Sequence, residues 1–165
     1  MIVLDSSTLI LLAKSELIDM FIDCFAECYI PETVFKEATI NLEKFDSQLI
    51  KKRVEEGRIK IRKPTKELAV QENINVFNIE KGEAESITLA IEIKSPLAVD
   101  DGKAIKAAKI FGITYITALS FVLLLLEKKK ITKEQAIKTI RKLAMYGRYS
   151  RNILDAAAEE VDKYE

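Results

Sequence analysis

Short apolar runs alternating with helix-length segments predict an α/β protein with a parallel sheet covered by helices on both faces. Two observations carry this. The runs MIVLD (1–5), CYI (28–30), LAVD (97–100) and ITYI (113–116) have strand length and strand composition. Between them lie segments with helical periodicity, such as 42–57 and 82–93. The chain has 165 residues, 48% hydrophobic and 32% charged, which fits one folded domain over 1–165.

MIVLD reads as a buried strand ending in Asp5, and STLILLAK (7–14) as a helix with Ser7 at its N-cap. LIDMFIDCF (17–25) continues helical, with Leu17, Phe21 and Phe25 on one face. CYI is a strand stopped by Pro31, which opens the helix PETVFKEAT. In LEKFDSQLIKKRVEEG (42–57), Leu42, Phe45, Leu49 and Val54 form the apolar face and Gly57 a C-cap. RIKIR (58–62) reads as an edge strand, TKELAVQEN (65–73) as a helix and 74–80 as a loop. GEAESITLAIEI (82–93) is a helix with Ile87, Ala90 and Ile91 inward. LAVD is a strand, GKAIKAAKIFG (102–112) a helix and ITYI a strand, and helices then fill 118–129, 133–145 and 150–164.

The composition excludes whole classes of chemistry. There is no histidine, so Ser-His-Asp and Cys-His nucleophiles, histidine bases and histidine metal ligands are absent. Cys24 and Cys28 alone cannot close a tetrahedral zinc site, and they read as buried free thiols. The N-terminal stretch lacks a basic region and is interrupted by Asp5, unlike a signal peptide, and ALSFVLLLL (118–126) is too short to span a bilayer. A cytoplasmic protein without membrane attachment is expected.

What remains is carboxylate chemistry. In parallel α/β sheets, ligands sit beyond the carboxyl ends of the strands. Asp5 and the pair Asp100-Asp101 stand where predicted strands end. Glu37, one to two turns into the helix after CYI, and Glu83, at the start of the helix before LAVD, are placed to face the same rim. Converging carboxylates repel and raise one another's pKa unless a cation neutralises them. An oxygen-only donor set favours Mg²⁺ or Mn²⁺, the usual apparatus of phosphodiester hydrolysis. Each acid also has a plain structural reading: Asp5 and Asp100 or Asp101 as helix caps, Glu37 as a solvated helix face, Glu83 or Glu85 as N-terminal dipole partners. Glu85 points about 200° away from Glu83 on a helix, outside the shared site.

These residues resemble a PIN-domain nuclease over nearly the whole chain. MIVLDSSTLILLAK resembles the family's start, with the first acid at Asp5 and a hydroxyl at Ser7. IPETVFKEA resembles the segment of the second acid, Glu37. GEAESITLAIEI matches the branch with a GEAE-type third acid, Glu83, related to VapC toxins. LAVDDGKAIKAAKIFGITYITALSFVLLLLEKKKI resembles the same branch, with Asp100 or Asp101 as the fourth acid. The resemblance implies a three-layer α/β/α fold with a central, mainly parallel sheet of about four to five strands. It implies a Mg²⁺- or Mn²⁺-dependent ribonuclease, the toxin of a toxin–antitoxin pair, a homodimer inhibited by a small antitoxin protein. On this resemblance Asp5, Asp100, Asp101 and Glu83 are the metal ligands. Glu37 and Glu83 complete the shell or orient the attacking water, and Ser7 hydrogen-bonds a ligand carboxylate or the phosphate.

Net charge is zero, with 26 basic and 26 acidic residues, but the distribution is uneven. Basic residues crowd 51–66 and 127–151, and Lys103, Lys106 and Lys109 follow the acidic pair. Basic surface beside an acidic pocket suits RNA, with Lys103 the leading candidate for a backbone contact; such charge runs are more often solvated faces. Tyr146 and Tyr149 are candidates for base stacking or for packing. Two other readings compete. A phosphotransfer hydrolase of haloacid-dehalogenase type needs a second Asp two residues after the first, where this chain has Ser7. A non-cleaving domain that binds RNA or a protein is the alternative to the nuclease.

Overall fold

The computed structural model describes residues 1–164. It contains a five-stranded, all-parallel sheet in the order β3-β2-β1-β4-β5. The strands are short: β1 (Ile2–Leu4), β2 (Cys28–Ile30), β3 (Lys60–Ile61), β4 (Leu97–Ala98) and β5 (Tyr115–Ile116). The chain divides into two compact units, Met1–Ile116 and Thr117–Glu165.

In the first unit, β1 is the centre. Val3 lies opposite Tyr29 of β2 on one side and Leu97 of β4 on the other. Ile2, Val3 and Leu4 have no exposed surface, as a strand covered on both faces requires. The connections β1 to β2 and β2 to β3 step one way along the sheet, and those through β4 to β5 step the other way. Right-handed crossovers therefore put α1 (Ser6–Lys14), α2 (Ile18–Asp23), α3 (Glu32–Ala38) and α4 (Phe45–Glu55) on one face. They put α5 (Glu67–Phe77), α6 (Lys81–Glu92) and α7 (Gly102–Ile110) on the other. The contacts agree: α1 packs on α2, α3 and α4, whereas α6 packs on α5 and α7. Val3, Leu97 and Val99 join Ile87, Leu89 and Ala104 in one buried core cluster on the α6 side. The direction of stepping reverses between β1 and β4, so the crevice of this sheet opens at their carboxyl ends. α3 and α6 also touch, and both begin at that rim.

The second unit holds α8 (Ala118–Glu127), α9 (Lys133–Tyr146) and α10 (Arg151–Asp162), which contact one another. Thr117 caps α8 by accepting from the Ser120 amide, and Thr132 caps α9 in a reciprocal pair with Gln135. Among the described residues, no helix is long and apolar enough to cross a membrane.

Several local expectations are corrected. The N-cap of α1 is Asp5, not Ser7, which lies inside the first turn. The 74–80 loop is helical as far as Phe77, because Ile74 and Phe77 extend the inward stripe begun by Val70 and Asn73, and α5 ends on left-handed Asn78. In α4 the fully buried positions are Ser47 and Ile50, while Leu42 and Phe45 lie exposed. Gly57 follows α4 in the left-handed conformation, φ 72°, with Arg58 N donating to Arg53 O as a C-terminal motif requires. Ile91 is on the exposed side of α6, whose inner face is Ile87, Leu89 and Ala90. Cys24 is an exposed thiol at the end of α2, whereas Cys28 is buried in β2 and its thiol is pushed up to about 11, chiefly by burial.

Candidate functional site

Asp5 ends β1. Its backbone amide donates to Ala98 O at 2.9 Å, so the sheet ladder itself holds the residue. Its Oδ2 accepts from the Ser7 amide at 3.2 Å and the Ser7 hydroxyl at 2.7 Å. This is an N-cap, and it turns the carboxylate inward. The residue is 1% exposed, and among the described residues none hydrogen-bonds to its buried Oδ1. Burial holds the Asp5 carboxyl above the usual range against the hydrogen bonds of Ser7 and Ser6, and the Asp101 charge adds to the rise.

The end of β4 is tied to the same turn. Asp100 N donates to Ser7 Oγ at 3.2 Å, and Thr8 Oγ1 donates to Asp100 Oδ2 at 2.6 Å. Asp101 caps α7, with Oδ1 accepting from Lys103 N at 2.8 Å and Ala104 N at 3.1 Å. The two adjacent carboxylates thus divide: Asp100 faces the first turn of α1, and Asp101 faces the start of α7.

Glu37 and Glu83 reach this rim from α3 and α6. A Cβ on Gly82 would lie 2.7 Å from Glu37 Oε2 and 2.8 Å from Oε1, so the carboxylate rests on α6 only because position 82 has no side chain. Burial raises the Glu37 carboxyl; the Ser6 hydroxyl opposes this, and the charges of Asp5, Glu80 and Glu85 reinforce it. Glu83 accepts from Glu80 N at 2.9 Å, the capping-box bond of α6. Its carboxyl is pushed up to about 7, by burial first and then by Asp101, Asp5 and Glu80, against that hydrogen bond. Asp5, Glu37, Glu83 and Asp101 therefore belong to one electrostatic neighbourhood.

Three side chains of this neighbourhood escaped the sequence reading. Ser6 and Thr8 belong to the hydroxyl run SST, whose signal was that three hydroxyls follow an acid at a helix start. Glu80 stands three residues before Glu83, the capping-box spacing. Lys103 does not reach the acids: its Nζ donates to Asn78 O at 3.0 Å. The basic stretch 51–66 is largely consumed internally. Arg53 and Arg58 bind Asp19, Arg58 also binds Asp23, and Lys60 and Lys63 pair with Glu27 and Glu67. Lys109 lies over the Tyr115 ring at 5.8 Å.

The donor set fits a hard divalent cation: all ligand atoms are carboxylate or hydroxyl oxygens, and Asp5 Oδ1 is a buried acceptor with no donor. Among the described residues, no three acidic or thiol side chains converge into a ready metal cage, as expected where like charges face one another and Glu83 and Asp101 turn to helix amides.

A parallel sheet with acids at the ends of β1 and β4, joined by acids from α3 and α6, defines a nuclease-type fold. The chain belongs to the PIN-domain family, whose model matches residues 1–163. Members of this family are generally nucleases and typically use divalent metals. No curated protein matches the chain.

Proposed function

We propose that this protein is a Mg²⁺- or Mn²⁺-dependent endoribonuclease that hydrolyses RNA phosphodiester bonds at the acidic rim. The observation that carries the reading is Asp5 Oδ1, a buried carboxylate oxygen with no hydrogen bond, set among acids whose pKa values are raised together. A buried charge without a partner is expensive, and a cation is the group that removes the expense here.

Asp5 and the Asp100-Asp101 pair would hold the metal, directly or through water, with Glu83 and Glu37 completing the shell. Mg²⁺ or Mn²⁺ bound there supplies positive charge for the phosphate and acidifies water. Ser7 and Thr8 fix the orientation of Asp5 and Asp100. Glu83, whose carboxyl is raised by burial and by the neighbouring acids in the metal-free protein, would complete the shell or orient the attacking water. Glu37 orients that water from the α3 side. The match over 1–163 supports treating both units as one PIN-like domain. In keeping with the VapC-like resemblance, we assign the chain as the cytoplasmic toxin of a toxin–antitoxin pair, a homodimer held in check by an antitoxin protein.

A second reading is a domain that binds RNA or protein without cutting. It is favoured by one observation: Asp5, Asp101 and Glu83 each already satisfy helix amides. Calorimetric titration with Mn²⁺, on wild type and on the Asp5→Asn/Asp101→Asn variant, separates the two. Stoichiometric binding lost in the variant, with metal-dependent RNA cleavage in the same buffer, is the expected result. No binding at millimolar metal would leave the acids as helix caps and the protein as a binding module.

A further inference from the structure

Glu85 is an acid of α6 that the rim does not use. Its side chain is 9% exposed, and its nearest cation, Lys81 Nζ, stands 3.7 Å away, beyond hydrogen-bond distance. No hydrogen bond from the described residues reaches its carboxylate. It lines a pocket of about 330 Å³ with Pro64, Val70 and Ile74. Lys63 and Lys81 line the same pocket, and their side chains are 68% and 66% exposed. The pocket therefore has the carboxylate of a mostly buried side chain, apolar sides and a mixed rim, in which Lys63 pairs with Glu67 at 3.0 Å and Lys81 lies within 3.7 Å of Glu85. It adjoins the acidic rim, because Glu37 feels the charges of both Asp5 and Glu85.

We infer that this pocket is a nucleobase subsite that takes a guanine of single-stranded RNA beside the cleavage site. The inference rests on the nuclease reading above. Buried charge is retained when a ligand supplies donors. Guanine alone among the RNA bases presents two adjacent donors, N1–H and the N2 amino group, to one carboxylate. Adenine and cytosine set an acceptor beside their amino group, and uracil flanks its one donor with two acceptors, so each would place a lone pair against Glu85. Pro64, Val70 and Ile74 give the base apolar walls, in a pocket of ligand size. Lys81, 66% exposed at the pocket's edge, faces the phosphate that accompanies the base. An arginine side chain from a protein would also satisfy Glu85, but it would have to pass Lys81, which a nucleotide uses.

The test is binding of guanosine and adenosine 5′-monophosphates to the whole protein in metal-free buffer, followed by NMR, for wild type, Glu85→Gln, Glu85→Ala and Lys81→Met. Wild type is expected to favour the guanine nucleotide by about tenfold or more, as charge-assisted hydrogen bonds are worth. Glu85→Gln and Glu85→Ala lose that preference. Lys81→Met keeps it but weakens both nucleotides. Equal binding of the two nucleotides, or a preference that survives both Glu85 variants, overturns the inference. Tighter Glu85-dependent binding of N-acetylarginine amide than of the guanine nucleotide also overturns it, in favour of a protein partner. RNA cleavage with Mn²⁺ is read separately. Cleavage without guanine preference sinks the subsite and leaves the nuclease standing. Guanine binding without cleavage does the reverse.

Discussion

Thr8, fully buried in the first turn of α1, donates a 2.6 Å hydrogen bond to the carboxylate of Asp100, which lies 92 positions further along the chain. With the bond from Asp100 N to Ser7 Oγ, it stitches the ends of the two central strands together. Two hydroxyls, not the acids themselves, fix how the carboxylates face one another.

Replacing Thr8 by valine keeps the shape and removes the donor. A hydrogen bond to a charged group contributes about 1.5–3 kcal/mol, so urea denaturation of Thr8→Val is expected to show a loss in that range. Mn²⁺ affinity should fall as well, because Asp100 loses one of the bonds that orient its carboxylate. A variant as stable as wild type would show that Asp100 is held by other groups.

Gly82→Ala is the cleanest way to move one acid. A methyl group at position 82 would overlap the Glu37 carboxylate, the free end of a flexible side chain. The helix itself gains up to about 1 kcal/mol from Gly to Ala. The expected variant is as stable as wild type or more so by thermal denaturation, yet binds Mn²⁺ more weakly and cleaves RNA more slowly.

Asp5→Asn separates stability from function. Asparagine is as good an N-cap as aspartate, and it removes a buried charge with an unsatisfied oxygen. Without metal, the variant should melt at a higher temperature than wild type. With Mn²⁺ the order should reverse, since only wild type gains from the ligand. A lower melting temperature in both conditions would mean that the charge of Asp5 is satisfied within the protein.

The pH dependence has a definite sign. The Glu83 carboxyl titrates near 4.5 in the unfolded chain and at about 7 when folded. The folded state therefore holds this proton more tightly. Its contribution to stability is fully present below the unfolded value and is lost as pH rises through about 7. Asp5 and Glu37 act in the same direction. Metal-free protein should lose thermal stability between roughly pH 5 and pH 8, and Glu83→Gln should flatten that slope. Added Mg²⁺ should restore stability mainly at the alkaline end, where the acids are ionised.

Four of the strands, their parallel arrangement and the acids at the ends of β1 and β4 are legible in the sequence because each rests on local pattern, an apolar run followed by a carboxylate or by a helix-length segment, whereas the order β3-β2-β1-β4-β5 is not. The cap of α1 was misassigned because Asp5 and Ser7 are both good caps, and only the position of the ladder bond from Asp5 N to Ala98 O decides between them. The length of α5 was underestimated because Asn73 reads as polar, whereas it is buried and donates to Thr88 Oγ1 at 3.1 Å. The bond from Lys103 Nζ to the Asn78 carbonyl is not legible in the sequence, because it joins the start of α7 to the end of α5. The basic stretch 51–66 looked like a binding surface because its partners, Asp19, Asp23 and Glu27, lie in a distant part of the chain.

β1 sits between β2 and β4, and these neighbours emerge at very different times. Cys28 is available to Ile2 after a short stretch of synthesis, but Leu97, the partner of Val3, comes much later. At ribosomal rates the interval from residue 3 to residue 97 is about 5 to 20 s. During that interval the nascent chain already carries Asp5, Glu37 and Glu83, with one side of its central strand unpaired. Pairing at such separation is intrinsically slow, so the Asp100-Asp101 pair joins the other acids only after β4 docks. An incomplete chain thus lacks part of the acidic rim, and the central strand's open edge makes the half-built sheet the stage most exposed to chaperones and proteases.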